Sequence, residues 1–437
     1  MSFWDKILST KKRAVPKISF GRFTDAYKSK AHYLAWDESL RLFEEGQILK
    51  SLKQLLEYLK NDKSDNIQVL ENSDDFQFTV YHGSKQIVCK TVDQKFRAES
   101  KVAHCKELNV GFLRKAVEYN YLLNYSRFAL DGENNLCLVF DSTFAEASPY
   151  KLFYGLKELA LQSDKEDDIL IDEFESLEPL QNQHIVKLSD DVIKIKLQFI
   201  KDKIKMAMTP EVIGKLNPKR FQGALTYVYL SVVYGLDYLV KPEGKLLDII
   251  SRLHIKYFEA PNENVETKVS LLEKGLTEIN EMKDEEISKE LYEVISTFGI
   301  TSPANHKTVS QFIDSELQAM KWYEENKHDA VCITICNYIA GYCLFNFAMP
   351  APDHDLFHLY YEIMEPDYFK NLGFENNYWD AEKKKPNMDL IYEKVEDILK
   401  EHKEKFPLLP VTSNLDNNNL ITFLKSYLVF IKNLLIN

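Results

Sequence analysis

"DFQFTVYHGSKQIVCKTV", Asp75–Val92, is the stretch on which the fold turns. Phe76, Phe78 and Val80 alternate with Gln77, Thr79 and Tyr81, Gly83-Ser84 supplies a turn, and Ile87–Val92 returns. A period of two puts one face of each strand on a core and the other in water, which is the mark of an antiparallel hairpin. Downstream, "QKFRAESKVAH" alternates again, with Phe96, Ala98 and Val102 opposite Lys95, Arg97, Glu99 and Lys101. "VGFLRKAVEYNYLLNY" then changes to a helical period through Leu113, Ala116, Val117 and Tyr121. "SRFALDGENNLCLVF" is a second hairpin across Asp131-Gly132. Ser148-Pro149 reads as N-cap and first helical position of "YKLFYGLKELALQ". Upstream, Trp36, Leu40 and Phe43, then Gly46, then Leu52, Leu55, Leu56 and Leu59 describe a helical hairpin.

The expected order over residues 47–163 is helix, three strands, helix, two strands, helix. In that order, in the hairpin "FTVYHGSKQIVC" and in "LCLVFDSTFAEASPYKLFYGLKELA", the chain resembles the type III secretion chaperone-like fold, including the bacterial YbjN proteins described as sensory transduction regulators. The opening hairpin resembles a single tetratricopeptide-type unit, with no second copy beside it. The resemblance covers a quarter to a third of the chain and brings no catalytic residues. It implies a protein that holds a partner chain and forms dimers. Phe112, Tyr119 and Tyr121 are more aromatic than one buried stripe requires, which points to contact through that helix.

The fold class expected is α+β: an N-terminal chaperone-like domain with a five-stranded antiparallel sheet and packing helices, then a larger irregular all-α domain. The boundaries are 1–30, a basic leader; 31–170, hairpin plus chaperone-like domain; 171–185, an acidic linker; and 186–437, all-α. The leader carries eight Lys/Arg against Asp5 and Asp25 and reads as a polar segment ahead of the folded part, with docking to a membrane surface or a partner as the other reading. "SDKEDDILIDEFESLEPLQNQ", Ser163–Gln183, lacks the spacing and glycine of a calcium loop and reads as an exposed connection. Beyond it, helices are expected at about 245–258, 264–282, 284–298, 308–326, 329–348, 353–364, 388–404 and 417–436, joined by short loops.

At 437 residues with 45% hydrophobic content, the chain can bury a large core. A net charge of −12, with 25 basic and 28 acidic residues in 1–175 and no basic face in either half, argues against nucleic acid as a partner. No apolar run follows Met1, and six cysteines without a CxxC pair fit a cytoplasmic protein with reduced thiols.

Chemistry is concentrated in "VCITICNYIAGYCLFNFAMPAPDHDLFHLYYEIM", Val331–Met364. Cys332, Cys336 and Cys343 share one helix face with Ile339 and Phe347, while His354 and His358 lie one turn apart on the next helix, near Asp355 and Glu362. Structural zinc prefers closely paired thiolates across a loop, so these cysteines read as core residues and no metal or cofactor is expected. Val331–Met349 is long enough to span a bilayer, but Thr334, Asn337, Gly341 and Asn346 interrupt it, so no transmembrane segment is expected. Asp353, His354 and Asp355 have acid/base chemistry and are equally ordinary at a helix start. "GLDYLVKPEGK" holds Gly244-Lys245 without the spacing of a phosphate loop. No catalytic residue is assigned. The function expected is a non-catalytic, chaperone-like or regulatory adaptor of bacterial type with a protein partner, in a possible homodimer. The alternative is an enzyme or ligand-binding regulator with a pocket in the helical domain.

Overall fold

The computed structural model describes residues 16–71, 76–180, 184–259, 263–375, 377–380, 382–383 and 385–436. Alternation in the first hairpin becomes β2 (Phe76–His82) and β3 (Lys85–Val92), with Phe78 opposite Cys89 and Val80 opposite Ile87, all four buried. With β1 (Ile67–Glu71), β4 (Lys95–Cys105), β5 (Arg127–Leu130) and β6 (Asn135–Thr143) they form an antiparallel sheet in the order β1-β2-β3-β4-β6-β5. A two-residue β7 (Leu177–Glu178) pairs with the end of β4. The expected five strands are therefore six and a short seventh. β1 escapes the sequence reading because it is an edge strand with Val69 and Leu70 both exposed, so its pattern does not alternate.

Four helices accompany the sheet: α1 (Lys30–Glu44), α2 (Ile48–Leu59), α3 (Val110–Leu122) and α4 (Pro149–Glu173). The α1–α2 hairpin packs on α4, with Trp36 edge-on to Tyr150 and Phe153 at 5.0 and 5.9 Å. α4 corrects the expected linker. Ser148 caps it as anticipated, but it runs on through the acidic stretch to Glu173. Leu152, Leu156, Leu159, Ser163, Glu166, Asp167 and Leu170 are all buried. The helical period continues, and its buried positions change from leucine to carboxylates.

The second lobe contains α5 (Asp190–Ala207), α6 (Gln222–Gly235), α7 (Gly244–Phe258), α8 (Val265–Glu281), α9 (Asp284–Lys289), α10 (His306–Glu325), α11 (Asp329–Asn346), α12 (Ala351–Met364), α13 (Pro366–Asn371), α14 (Met388–His402) and α15 (Leu420–Lys432). α6 and α11 are apolar nearly all round and sit in the core of this lobe. Gln222–Val240 is the one helical stretch among the described residues long and apolar enough to cross a membrane, and it is mostly buried within the fold. The lobe is not wholly helical: residues 186–187 pair with 292–293, 302–303 with 347–348, and 379–380 with 385–386.

Two segments cross between the lobes. The helix expected at 284–298 stops at Lys289, and the following chain returns to the sheet. There the Gly83 amide donates to the Ile295 carbonyl at 3.0 Å and the Thr297 hydroxyl to the Tyr81 carbonyl at 2.7 Å. Phe298, 1% exposed, completes the sheet-lobe core, a burial of about 1.5–3 kcal/mol. The β-branched run around Ile295 and Thr297 favours this extended path over a helix. The second crossing is the leader. Residues 1–15 lie outside the described residues, but Pro16–Lys28 is an extended strap bound across the helical lobe. Phe20 packs on Tyr238, His358, Phe369 and Phe374. Gly21 has φ +67°, and a Cβ there would meet the Tyr238 ring at 2.6 Å. The leader from Pro16 onward is thus part of the fold, because its apolar and cationic residues have buried partners.

Candidate functional site

α6 ends in a π-helical turn, Leu236–Val240, followed by Lys241 at φ 49°. Widening the helix frees carbonyls from the ladder, and each must find another donor. The Gly21 amide donates to Tyr238 O at 2.8 Å, the Tyr368 hydroxyl to Leu239 O at 2.9 Å, and the buried Lys196 ammonium to Val240 O at 2.7 Å. Burial pulls the Lys196 ammonium down to about 8. A distorted turn held by one backbone amide and two side chains from three other segments is a common way to fix a site residue.

The residue fixed here is Asp237, 2% exposed. Arg22 of the strap donates to it from Nε at 2.8 Å and from Nη2 at 2.7 Å, and to the Ser251 hydroxyl at 3.1 Å. The same guanidinium lies 3.8 Å over the Phe345 ring. Burial raises the Asp237 carboxyl, and Arg22 opposes that rise.

Beside this pair lies a cleft of about 360 Å³ between the lobes. Its walls are the strap at Gly21–Phe23, the β2–β3 turn at His82-Gly83, α4 at Leu161–Lys165, the chain from Asp237 into α7, and Phe298 with Ile300 from the returning segment. A cavity of this size at a lobe junction has the form of a small-molecule site. Gly83 has φ +57°, and any Cβ there would collide with the Asp164 carboxyl, so this glycine brings the turn against α4.

Partner accounting separates the charges. Arg22 is committed to Asp237, Lys241 to Glu293 at 3.0 Å, and Lys85, behind the wall, to Asp167. Asp164 accepts the Ser84 amide and has no ion pair among the described residues. Glu243 is half-buried and borders the cleft, and among the described residues its carboxyl has neither a hydrogen bond nor an ion pair. Burial raises Asp164 to about 7, with help from Asp167, and Glu243 to about 8, against the pull of Lys241. Asp168 behind Gly244 is raised to about 8, by burial and then by Asp167 and Glu290. His82 is lowered to about 4 by burial, and its Nδ1 accepts the Thr297 amide at 3.2 Å. No serine or cysteine is hydrogen-bonded to His82 among the described residues.

The chain matches no known protein-family model. No curated protein resembles it in sequence either. The functional argument therefore rests on this geometry.

The residues singled out in Val331–Met364 lie elsewhere, and the structure does not bring the cysteines and histidines together. Cys332, Cys336 and Cys343 are fully buried in α11. Asp353 is buried against His306 Nδ1 at 2.9 Å. Asp355 bridges His354 Nδ1 at 3.1 Å and His402 Nε2 at 2.7 Å; burial works against its ionised form, but the two imidazoles outweigh it and hold it below its usual range. His358 Nδ1 meets the Tyr238 hydroxyl at 2.9 Å, its Nε2 lies 3.7 Å from Glu362, and burial lowers it to about 4. The trio of ligand-type atoms that converges within 4.8 Å among the described residues is Glu99, Asp131 and Cys137, on the sheet and outside the cleft lining.

The cleft residues were missed for two reasons. Asp164 and Asp167 read as solvated linker, although Leu156, Ala160, Asp164 and Asp167 follow one another at steps of four, four and three, which continues the buried face of the helix. "GLDYLVKPEGK" lacks the spacing of a phosphate loop and reads as the end of a helix, yet it supplies Asp237, Lys241, Glu243 and Gly244 to the wall.

Proposed function

We propose that the protein is a non-catalytic regulatory binding protein, in which a small ligand seated between the lobes controls how the strap, the sheet lobe and the helical lobe hold together. The observation that carries this reading is the cleft. Segments more than two hundred residues apart in sequence wall it, so an occupant touches both lobes and the strap at once. This reading takes the cleft at the lobe junction as the ligand site, whereas the sequence pointed to a pocket in the helical lobe, where further grooves also open. A cytoplasmic setting fits six buried free thiols.

The adaptor side of the reading draws on the chaperone-like resemblance and on α3. That helix buries Phe112 and Ala116, yet leaves Val117, Tyr121 and Leu122 at 68%, 90% and 70% exposure. A second copy of the chain is the partner that the resemblance implies for this face. Sedimentation velocity of the full chain beside Tyr121→Lys checks it: a dimer in the parent and a monomer in the variant are expected, and a monomeric parent removes dimerisation from the reading.

The cleft is tested by a thermal-shift screen of fragments of varied charge, run in parallel on the parent and on Ser296→Trp, which fills the lumen. At least one compound should stabilise the parent alone. The reading fails if every stabilising compound acts equally on both proteins, or if none acts.

A further inference from the structure

Resting on the cleft as a ligand site, the charge pattern identifies the class of ligand. We propose that the cleft binds a small organic cation, an amine or guanidine on a short apolar body, with its charge between Asp164 and Glu243.

Three observations carry this independently of any titration. The first is the partner accounting: the Arg22 guanidinium and the Lys241 ammonium on the wall are spent on Asp237 and Glu293, and Lys165 has an exposed side chain at the rim. Inside that rim, the lining charges without an ion pair among the described residues are the carboxyls of Asp164 and Glu243. A carboxyl drawn partly out of water without a donor is costly to keep, and Glu243 borders a cleft from which a cationic donor can reach it. An anion placed there would face Asp164, Glu243, and Asp167 and Asp168 behind the wall.

The second is spacing. No three of these carboxylates, among the described residues, bring oxygens within 4.8 Å of one another. A divalent ion needs several oxygens converging at about 2–2.6 Å, so a metal is poorly served. An organic cation has donors that reach apart. The third is the rest of the lining. Phe23 and Phe298 border the same space as Leu161, Leu247 and Ile300. Aromatic faces attract cations, and the aliphatic side chains take an apolar body.

Protonation then sets the pH dependence. Glu243 faces Lys241, Asp237, Glu293 and Asp164; Asp164 faces Asp167 and Lys85, and accepts from Ser84. Both carboxyls are raised into the neutral range, so they are largely protonated below it. A cation binds the ionised forms and releases protons on binding. Affinity should rise from pH 6 to pH 9, while the amine itself stays charged.

Isothermal titration calorimetry with 1,4-diaminobutane, n-butylamine and succinate tests the proposal. One-to-one binding of an amine is expected, at least tenfold weaker in Glu243→Gln and in Asp164→Asn, and unchanged in the remote exposed Glu133→Gln. Glu243→Gln removes a charge without a partner, so it should melt at or above the parent temperature at pH 9, which separates lost binding from lost folding. Amine binding that persists in both Glu243→Gln and Ser296→Trp would place the cation elsewhere and overturn the assignment. Succinate binding in place of the amines would overturn the class of ligand while leaving the cleft as a site. If no probe binds, the cation assignment falls, and the fragment screen alone decides the cleft.

Discussion

Replacing Arg22 with alanine removes the cation that the strap places on Asp237 and leaves that carboxylate, 2% exposed, without its partner. The protein then has two ways to respond. It can keep the buried charge, and breaking one side of a buried pair costs roughly 3–5 kcal/mol. It can instead protonate Asp237: starting from an unfolded value of about 3.9, this costs about 4 kcal/mol at pH 7, at 1.36 kcal/mol per unit. Both routes give about 4 kcal/mol. The lost guanidinium–Phe345 contact adds about 1 kcal/mol that does not depend on pH. The sign follows from Asp237 being raised: a carboxyl whose folded value exceeds its unfolded one loses stability as pH rises between the two. Arg22 limits that loss in the parent, so the variant's deficit grows with pH, from about 2.5 kcal/mol at pH 5 to about 5 at pH 7. Urea unfolding followed by tryptophan fluorescence at pH 5, 7 and 8 measures it, with Trp36 reporting the sheet lobe and Trp322 the helical lobe. Adding Asp237→Asn should recover most of the deficit. A loss below about 1 kcal/mol at pH 7, or one equal at pH 5 and pH 8, would refute the role given to this pair.

Three further outcomes are expected. Gly83→Ala should cost roughly 2–5 kcal/mol by denaturant unfolding, from a left-handed backbone plus overlap with Asp164; a near-neutral effect would mean that the turn does not press on α4. All six cysteines are buried, and burial raises the Cys332 thiol to about 11, so disulfide-exchange labelling at pH 7.5 should be slow in the native protein and fast in denaturant. A thiol that reacts on mixing would contradict the packing of its lobe. Limited proteolysis should spare 163–173 and cut in the 174–189 connection, and early cleavage inside the acidic half of α4 would show that its carboxylates are not packed.

What could be read from the sequence follows from what signals are made of. The β2–β3 hairpin was legible because Phe76, Phe78 and Val80 face a core that Gln77 and Thr79 do not. The cap at Ser148 was legible because its hydroxyl meets Lys151 N within one turn. α11 was legible as a helix by length and apolarity. β1 was not, since an edge strand with little burial has no reason to alternate. The cleft was not either: its carboxylates look like surface residues until Lys85, Arg22 and Lys241 arrive from far along the chain, and no local pattern records that meeting. Asp353, His354 and Asp355 drew attention through residue type alone, and the structure uses them to tie α12 to His306 and His402.

Phe298 also has a bearing on how the molecule is made. The last strand of the sheet ends by Glu178, yet the ring that completes its core is about 120 residues further on. A ribosome adding roughly 5–20 residues per second needs about 6–24 seconds to deliver it. For that interval the nascent sheet is finished in sequence and open in structure, with its apolar interior available to chaperones or to a neighbouring chain. Stalled or truncated products that stop between 180 and 298 should therefore be the aggregation-prone species of this protein.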